Sequence, residues 1–153
     1  KVNWDADGYR LPTEAEWEFG ARERGKPLRF GNGKNIADPA EINFNGKWKT
    51  ESYSKPGVYR KRTMAVGSFA PNELGLYDMS GNVAEWCWDF YASDYGDYQE
   101  SRDPRGPEVG ATRVVKGGSW FSAPSSIRVS NRVYAPNARF YHTGFRLARS
   151  AHE

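Results

Sequence analysis

The chain carries one thiol, Cys87, and two histidines, so the chemistry open to it is narrow. A single cysteine excludes an internal disulfide framework and a cysteine-rich zinc site; two histidines with one cysteine cannot build a histidine-rich one. Cys87 lies between Trp86 and Trp88. A thiol among aromatics is expected to be buried and inert, and the nearby carboxylates would raise its pKa rather than lower it. His142 could act as a general base. Neither Ser119 nor Ser122 sits in a nucleophile-elbow sequence, however, and Phe140 and Tyr141 flank the imidazole, so a surface or packing histidine is expected. Asp94, Asp97, Glu100 and Asp103 are spread along one stretch and read as solvated acids rather than an acid–base couple.

Two loops remain. In Gly75–Trp86, Asp78, Asn82 and Glu85 surround Gly81. Carboxylates and backbone carbonyls in a tight loop suit a hard cation such as calcium, which takes about six to eight oxygens. The spacing is not that of an EF-hand, and a hydrogen-bonded structural loop is the competing reading. In Gly117-Gly118-Ser119-Trp120, a glycine pair could form a phosphate nest. No helical pattern follows it, so a strained turn that packs Trp120 is the stronger reading.

The elements that must position these residues are few. Thr13 and Glu16 form a capping-box pattern with Pro12 at the entry, and Trp17, Gly20 and Ala21 follow at helical spacing. This predicts a helix over Glu14–Arg22, stopping by Gly25. Short strands are predicted at Ala65–Phe69 and Arg113–Lys116, with further strand character at Val129 and Gly144–Arg149. Gly31–Tyr59 holds isolated aromatics among Gly, Asn, Lys and Pro, and reads as packed loop. Asp94–Gly110 reads as a long surface loop. The sum is a small α+β fold with much irregular structure.

At 153 residues the chain fits one domain. A domain of this size buries about 68–70% of its unfolded surface, so it needs no metal or disulfide to hold it. The formal charge of +3, without a basic run, excludes a phosphate-tracking surface, so no nucleic-acid partner is expected. No apolar stretch is long enough to span a membrane. No signal peptide is legible, and Lys1 is not a natural start, so upstream segments are expected.

Arg10-Leu11-Pro12-Thr13-Glu14-Ala15-Glu16-Trp17-Glu18 resembles the "RLPTEAEWE" block of the formylglycine-generating enzyme (sulfatase-modifying factor) family. Gly75–Trp86 is similar to its "GLYDMSGNVWEW" block, with Ala84 where tryptophan is usual. Arg113–Trp120 and Gly144–Ala148 match its last two blocks. The resemblance implies a C-type-lectin-like fold with few short strands and tryptophan anchors. It also implies that residues 1–153 form a single domain of this type, specifically its carboxy-terminal portion. Active family enzymes place two copper-binding cysteines at positions corresponding to Ser122 and Ile127. A hydroxyl and an aliphatic side chain cannot bind Cu(I), which selects soft thiolates. Formylglycine synthesis is therefore not expected, and the related iron-dependent sulfoxide synthases need a further histidine-bearing domain. Asp78, Glu85 and the carbonyls of Gly81 and Val83 align with one family calcium site, which makes structural calcium the one cofactor expectation.

The frame from Trp120 to Arg146 also resembles the variable region of diversity-generating retroelement proteins, which use this fold as a scaffold for sequence variation. Their mutagenesis replaces adenines in Asn-type codons, so variable positions do not become Lys, Glu, Gln, Met or Trp. None of those five occurs between Phe121 and Thr143. The candidate variable positions are Phe121, Ser122, Pro124, Ser125, Val133, Tyr134, Ala135, Phe140, Tyr141 and His142. Arg128, Ser130, Asn131, Arg132, Pro136 and Arg139 read as fixed scaffold between them. Rigid aromatics mixed with serine suit a recognition surface. This resemblance implies a noncatalytic binder of a protein or cell-surface ligand, located at a cell surface or associated with phage. Two alternatives stand beside it: an ordinary relative acting as a structural or docking module against a neighbouring segment, and an oxidoreductase of the family.

Overall fold

The computed structural model describes residues 2–93, 102–135 and 140–150. The one α-helix among the described residues, α1, spans Glu14–Ala21. Thr13 Oγ1 accepts from Glu16 N at 3.1 Å, and Glu16 Oε2 accepts from Thr13 N at 2.8 Å, completing the expected capping box. Arg10 then grips both Glu16 oxygens at 2.6 Å. Trp17 and Ala21, one turn apart, are buried. The helix stops where Glu23, Arg24 and Gly25 take positive φ.

Four strands follow: β1 (Ala84–Phe90), β2 (Arg113–Lys116), β3 (Val133–Ala135) and β4 (Thr143–Gly144). They form one mixed sheet in the order β3-β2-β1-β4. β1–β2 and β2–β3 are antiparallel, and β4 runs parallel to β1. A register shift between Trp86 and Phe90 bends the central pair. A 3₁₀ turn, Pro124–Ile127, lies between β2 and β3.

The core has two parts. Trp17, Ala21, Met79, Cys87, Val114 and Val129 pack between α1 and the sheet. Phe30, Ala37, Ile42, Phe44 and Ile127 pack beneath the long connection, joined by the partly buried Tyr53. Gly31–Tyr59 is thus packed loop, as its aromatics require, although Trp48 stays exposed. The segment after the 3₁₀ turn joins the two parts, with Ile127 in one and Val129 in the other.

The α+β class holds, but several predicted strands do not. Ala65–Phe69 is irregular surface: Val66 is exposed, and Gly67 N donates to Asp78 Oδ2 instead of to a strand. Val129 is buried in a turn, its N–H donating to Arg29 O. Of Gly144–Arg149, only Gly144 is in a strand, and Ala148 makes an isolated bridge to Arg10. β1 and β3 lie where no strand is predicted from the sequence. Of the acids placed on the 94–110 loop, Asp94, Asp97 and Glu100 lie outside the described residues.

Candidate functional site

The chain leaves β2 through Gly117 and Gly118, both with positive φ (+82° and +63°). A Cβ at Gly118 would lie 2.8 Å from both Ile127 Cγ2 and Ser126 O, so only glycine lets this turn close onto the 3₁₀ segment. Gly117 O accepts from Gly81 N at 2.8 Å, and Trp120 N donates to Asn82 O at 3.0 Å. The glycine pair thus builds a turn on the 81–82 loop, as the turn reading requires. Ser122 then closes a small knot: its N–H donates to Ser119 O at 2.9 Å, and its Oγ accepts from Ser119 N at 3.0 Å. Ser122 O accepts from Asn45 N at 3.1 Å.

Asn82, itself at φ +65°, is the hub of this region. Its Oδ1 accepts from Met64 N at 2.8 Å and Asn43 Nδ2 at 3.2 Å, and its backbone N–H donates to Asn43 O at 2.8 Å. Ser80 Oγ donates to Ile127 O at 2.7 Å while accepting from Gly31 N at 2.9 Å. Three separate loops therefore hold residues 117–129 by hydrogen bonds.

The second half of the candidate segment is mounted on the sheet. Val133 pairs with Val115, Tyr134 with Val114 and Ala135 with Arg113. Arg132, just before β3, contacts both carboxylate oxygens of buried Glu14 at 2.7 and 2.9 Å. Lys116, fully buried, lies 2.8 Å from Glu18 and 3.5 Å from Glu14. Burial works to raise the Glu18 carboxyl, but Lys116 and Arg22 outweigh it and hold it below its usual range. Phe140–Thr143 returns along β1, with His142 O accepting from Ala84 N at 2.9 Å.

These supports bring an aromatic cluster to the surface. His142 stacks near-parallel between Phe140 (centroids 5.5 Å apart, 13° between planes) and Phe121 (6.4 Å, 14°). Tyr141 meets it edge-on at 5.1 Å. Trp120 touches Phe121 and Tyr141 and is backed by Tyr59 at 6.0 Å. Tyr134 leans on Tyr91 at 5.1 Å. Phe121, Tyr134, Phe140 and Tyr141 nevertheless remain 49, 57, 36 and 76% exposed. A pocket of about 200 Å³ sits among them, lined by Ser119, Phe121, Ser122, Tyr134, Phe140 and His142 together with smaller residues.

Of the ten candidate positions, Phe121, Ser122, Val133, Tyr134, Phe140 and His142 line this pocket. Tyr141 joins the cluster through its rings. Ala135 extends β3. Ser125 is half-buried, its carbonyl accepting from Arg128 Nε at 2.9 Å. Pro124 departs from the expectation: it is buried at the start of the 3₁₀ turn, where its ring fixes the turn and presents nothing to solvent. Pro136 and Arg139, assigned to the scaffold, lie outside the described residues. Trp120, beside Phe121 in the chain, joins the cluster, and Tyr59 and Tyr91 are brought to it by tertiary packing, with no sequence signal marking them as part of it.

Of the four residues expected to hold calcium, the two carboxylates, Asp78 and Glu85, are engaged otherwise. Glu85 Oε1 accepts from Arg146 Nη2 at 2.7 Å, and Oε2 accepts from Arg146 Nε at 2.5 Å and Trp17 Nε1 at 2.7 Å. Asp78 Oδ2 accepts from Gly67 N at 2.9 Å, and Gly81 and Val83 lie between these two side chains in the chain. A dication at Glu85 would have to share both carboxylate oxygens with a guanidinium already seated on them, so the set does not fit calcium as it is placed. The Arg146–Glu85 pair instead fastens the segment after β4 to β1. Among the described residues, no three His, Cys, Asp or Glu gather where they could hold a metal ion.

Catalytic groups are equally thin. Cys87 is buried in β1, and burial, reinforced by Asp89, raises its thiol well above the ordinary value. Ile127 is fully buried, and Ser122 is spent on its turn.

Known proteins resemble this chain over nearly its whole length. The sulfatase-modifying factor enzyme 1-like domain matches residues 2–151. A formylglycine-generating enzyme of Thermomonospora curvata is 38% identical over 151 residues, spanning 92% of this chain and 49% of its own. Treponema denticola variable protein 1 superposes with a TM-score of 0.77 at 34% identity, covering 97% of this chain and 50% of that one. PvdO from Pseudomonas aeruginosa follows with a TM-score of 0.69 at 33% identity over 94% of this chain and 53% of its own. The chain spans about half the length of these three relatives. The architecture is therefore the C-type-lectin-like one that the sequence blocks imply.

Proposed function

For a chain that belongs to the sulfatase-modifying factor enzyme 1-like domain family, we propose a binding role without catalysis: a ligand, protein or cell-surface in kind, is recognised by the aromatic face built from Phe121, Tyr134, Phe140, Tyr141 and His142. One observation carries this reading. Phe121, Phe140 and Tyr141 stand exposed in ring contact with His142, and exposed Tyr134 lines the same pocket, while the residues between and beneath them, Ile127, Val129 and Arg132, are tied into the core or its ion pairs. Exposed rigid aromatics beside serine hydroxyls give contact area at low entropic cost. The surface positions also hold only residues reachable by the adenine-directed variation that the resemblance implies.

The same face argues against the family's oxidative chemistry in this chain. Where the resemblance puts two thiolates, Ser122 and Ile127 stand, and the single thiol, Cys87, is buried in a strand. No donor soft enough for Cu(I) reaches the face from the described residues.

The test is a survey of codons 120–144 in the source population. The expected result is variation concentrated at the face positions, with Ile127, Val129 and Arg132 constant, and an adenine-rich near-copy of the segment close by in the genome. Alleles invariant at Phe121, Tyr134, Phe140 and Tyr141 would overturn the diversified reading.

A further inference from the structure

A cavity of about 450 Å³ lies between α1, the end of β1 and the loop at 104–107. None of the aromatic-face positions lines it, so a ligand here would bind independently of that face. Its walls are largely apolar: Phe19 from α1, 56% exposed, Phe90 from β1, and Pro104 and Pro107 from the loop. Cavities of this size hold small organic molecules.

Three carboxylates line it, and they differ in one respect. Glu14 is ion-paired to Arg132 at 2.7 Å, and Glu18 to Lys116 at 2.8 Å and Arg22 at 2.7 Å. Asp89 is only 5% exposed; among the described residues no cation forms an ion pair with it directly, and the nearby Arg132, seated on Glu14, only partly offsets its burial. Its Oδ2 accepts from Glu14 N at 2.6 Å, and burial pushes its carboxyl up to about 6. A buried carboxylate without a cation is costly. Gly106, at φ +68°, brings the loop onto this group: a Cβ there would lie 2.8 Å from Asp89 Cβ and 3.1 Å from Oδ1.

The cations of the cavity are already committed. Arg132 Nη1 donates to Ala92 O at 3.0 Å and Arg22 Nη1 to Leu28 O at 2.8 Å, in addition to their ion pairs. An anionic ligand would compete with these partners, whereas a cationic one would supply what Asp89 lacks. We propose that this cavity binds a small aromatic molecule carrying one protonated amine, the ring against Phe19 and Phe90 and the ammonium donating to Asp89.

Isothermal titration of the full-length protein at pH 7.5 with 1-naphthylmethylamine, and with the neutral 1-naphthylmethanol, tests this. The amine is expected to bind about tenfold more tightly than the alcohol, the increment of a charge-assisted hydrogen bond. Asp89→Asn should erase that difference while leaving alcohol binding in place. Ala15→Trp, which fills the cavity, should abolish both. Tyr141→Ser, on the aromatic face, should change neither. Equal affinities in the wild type, undiminished amine binding in Asp89→Asn, loss of amine binding in Tyr141→Ser, or no binding of either probe would overturn the proposal.

Discussion

If the aromatic face is a display surface on an independent platform, its rings should be removable at little cost to stability, while the residues between them should not. Consider Tyr134→Ser and Tyr141→Ser against Arg132→Ala and Ile127→Ala. A tyrosine buries about 150–250 Å² when fully enclosed, worth about 25 cal/mol per Å². Tyr134 is 57% and Tyr141 76% exposed, so less than half of that area is in play at Tyr134 and about a quarter at Tyr141. The expected losses are about 2 kcal/mol for Tyr134→Ser, which also gives up its contact with Tyr91, and about 1 kcal/mol for Tyr141→Ser. Ile127 is fully buried in the loop core, where truncation to alanine costs about 2–5 kcal/mol. Arg132→Ala takes from Glu14, 4% exposed, both of its short guanidinium contacts, and removing one partner of a buried pair costs about 3–5 kcal/mol. Urea unfolding of the full-length protein, followed by tryptophan fluorescence with m-values compared, measures all four. A tyrosine variant that loses more stability than both Ile127→Ala and Arg132→Ala would refute the separation of face from platform.

Two further outcomes are expected. Because the Asp89 carboxyl is raised from 3.8 to about 6, its contribution favours folding below about pH 4 and is lost as pH rises through 6, so at pH 7.5 ionised Asp89 is a liability; Asp89→Asn should be more stable than wild type there by about 1–3 kcal/mol, the advantage vanishing near pH 4, as read by urea titrations at both pH values. Calcium at millimolar concentration should leave Tm unchanged to within about 1 °C, because Arg146 and Trp17 already occupy the Glu85 oxygens; a saturable rise in Tm that Asp78→Asn removes would reinstate the ion.

What is legible in the sequence follows local rules. α1 is legible because its capping box and the Trp17–Ala21 spacing are complete within nine residues. β2 is legible from its two adjacent β-branched residues, Val114 and Val115, ahead of the Gly117-Gly118 turn. β1, the longest strand among the described residues, alternates as a strand does, but its phase is inverted: Glu85, Cys87 and Asp89 point inward while Trp86, Trp88 and Phe90 take the more exposed side. Alternation of hydrophobicity assigns the opposite faces. The inversion is stable only because Trp17 Nε1, Arg146 and Glu14 N, all distant in sequence, meet the two carboxylates. Ala65–Phe69 fails for the converse reason, its apolar residues having no sheet to join. At the site, the resemblance to a variable region points to the ring positions, but Tyr59 and Tyr91 behind them, and Pro124 beneath them, are placed by contacts that no spacing rule encodes.

A platform with so little regular structure must hold its shape by means other than a sheet, and the nature of those ties decides what the face can tolerate. Trp120, Ser122, Ile127 and Val129 are each fixed through a main-chain group: their N–H or C=O pairs with Asn82 O, Asn45 N, Ser80 Oγ and Arg29 O respectively. The only side chain among these four partners is that of Ser80, which lies outside the face. Val133 and Tyr134 are held by ladder pairing to β2, which is indifferent to their side chains. Residue identity at Phe121, Tyr134, Phe140 and Tyr141 is thereby uncoupled from backbone position, which is the condition a variable recognition surface has to meet. Ser122 is the exception within the set, since its own Oγ closes the turn on Ser119 N. Among the exposed and half-exposed positions it is therefore the one where exchange would move the backbone, and where the platform, rather than the ligand, sets the permitted residue.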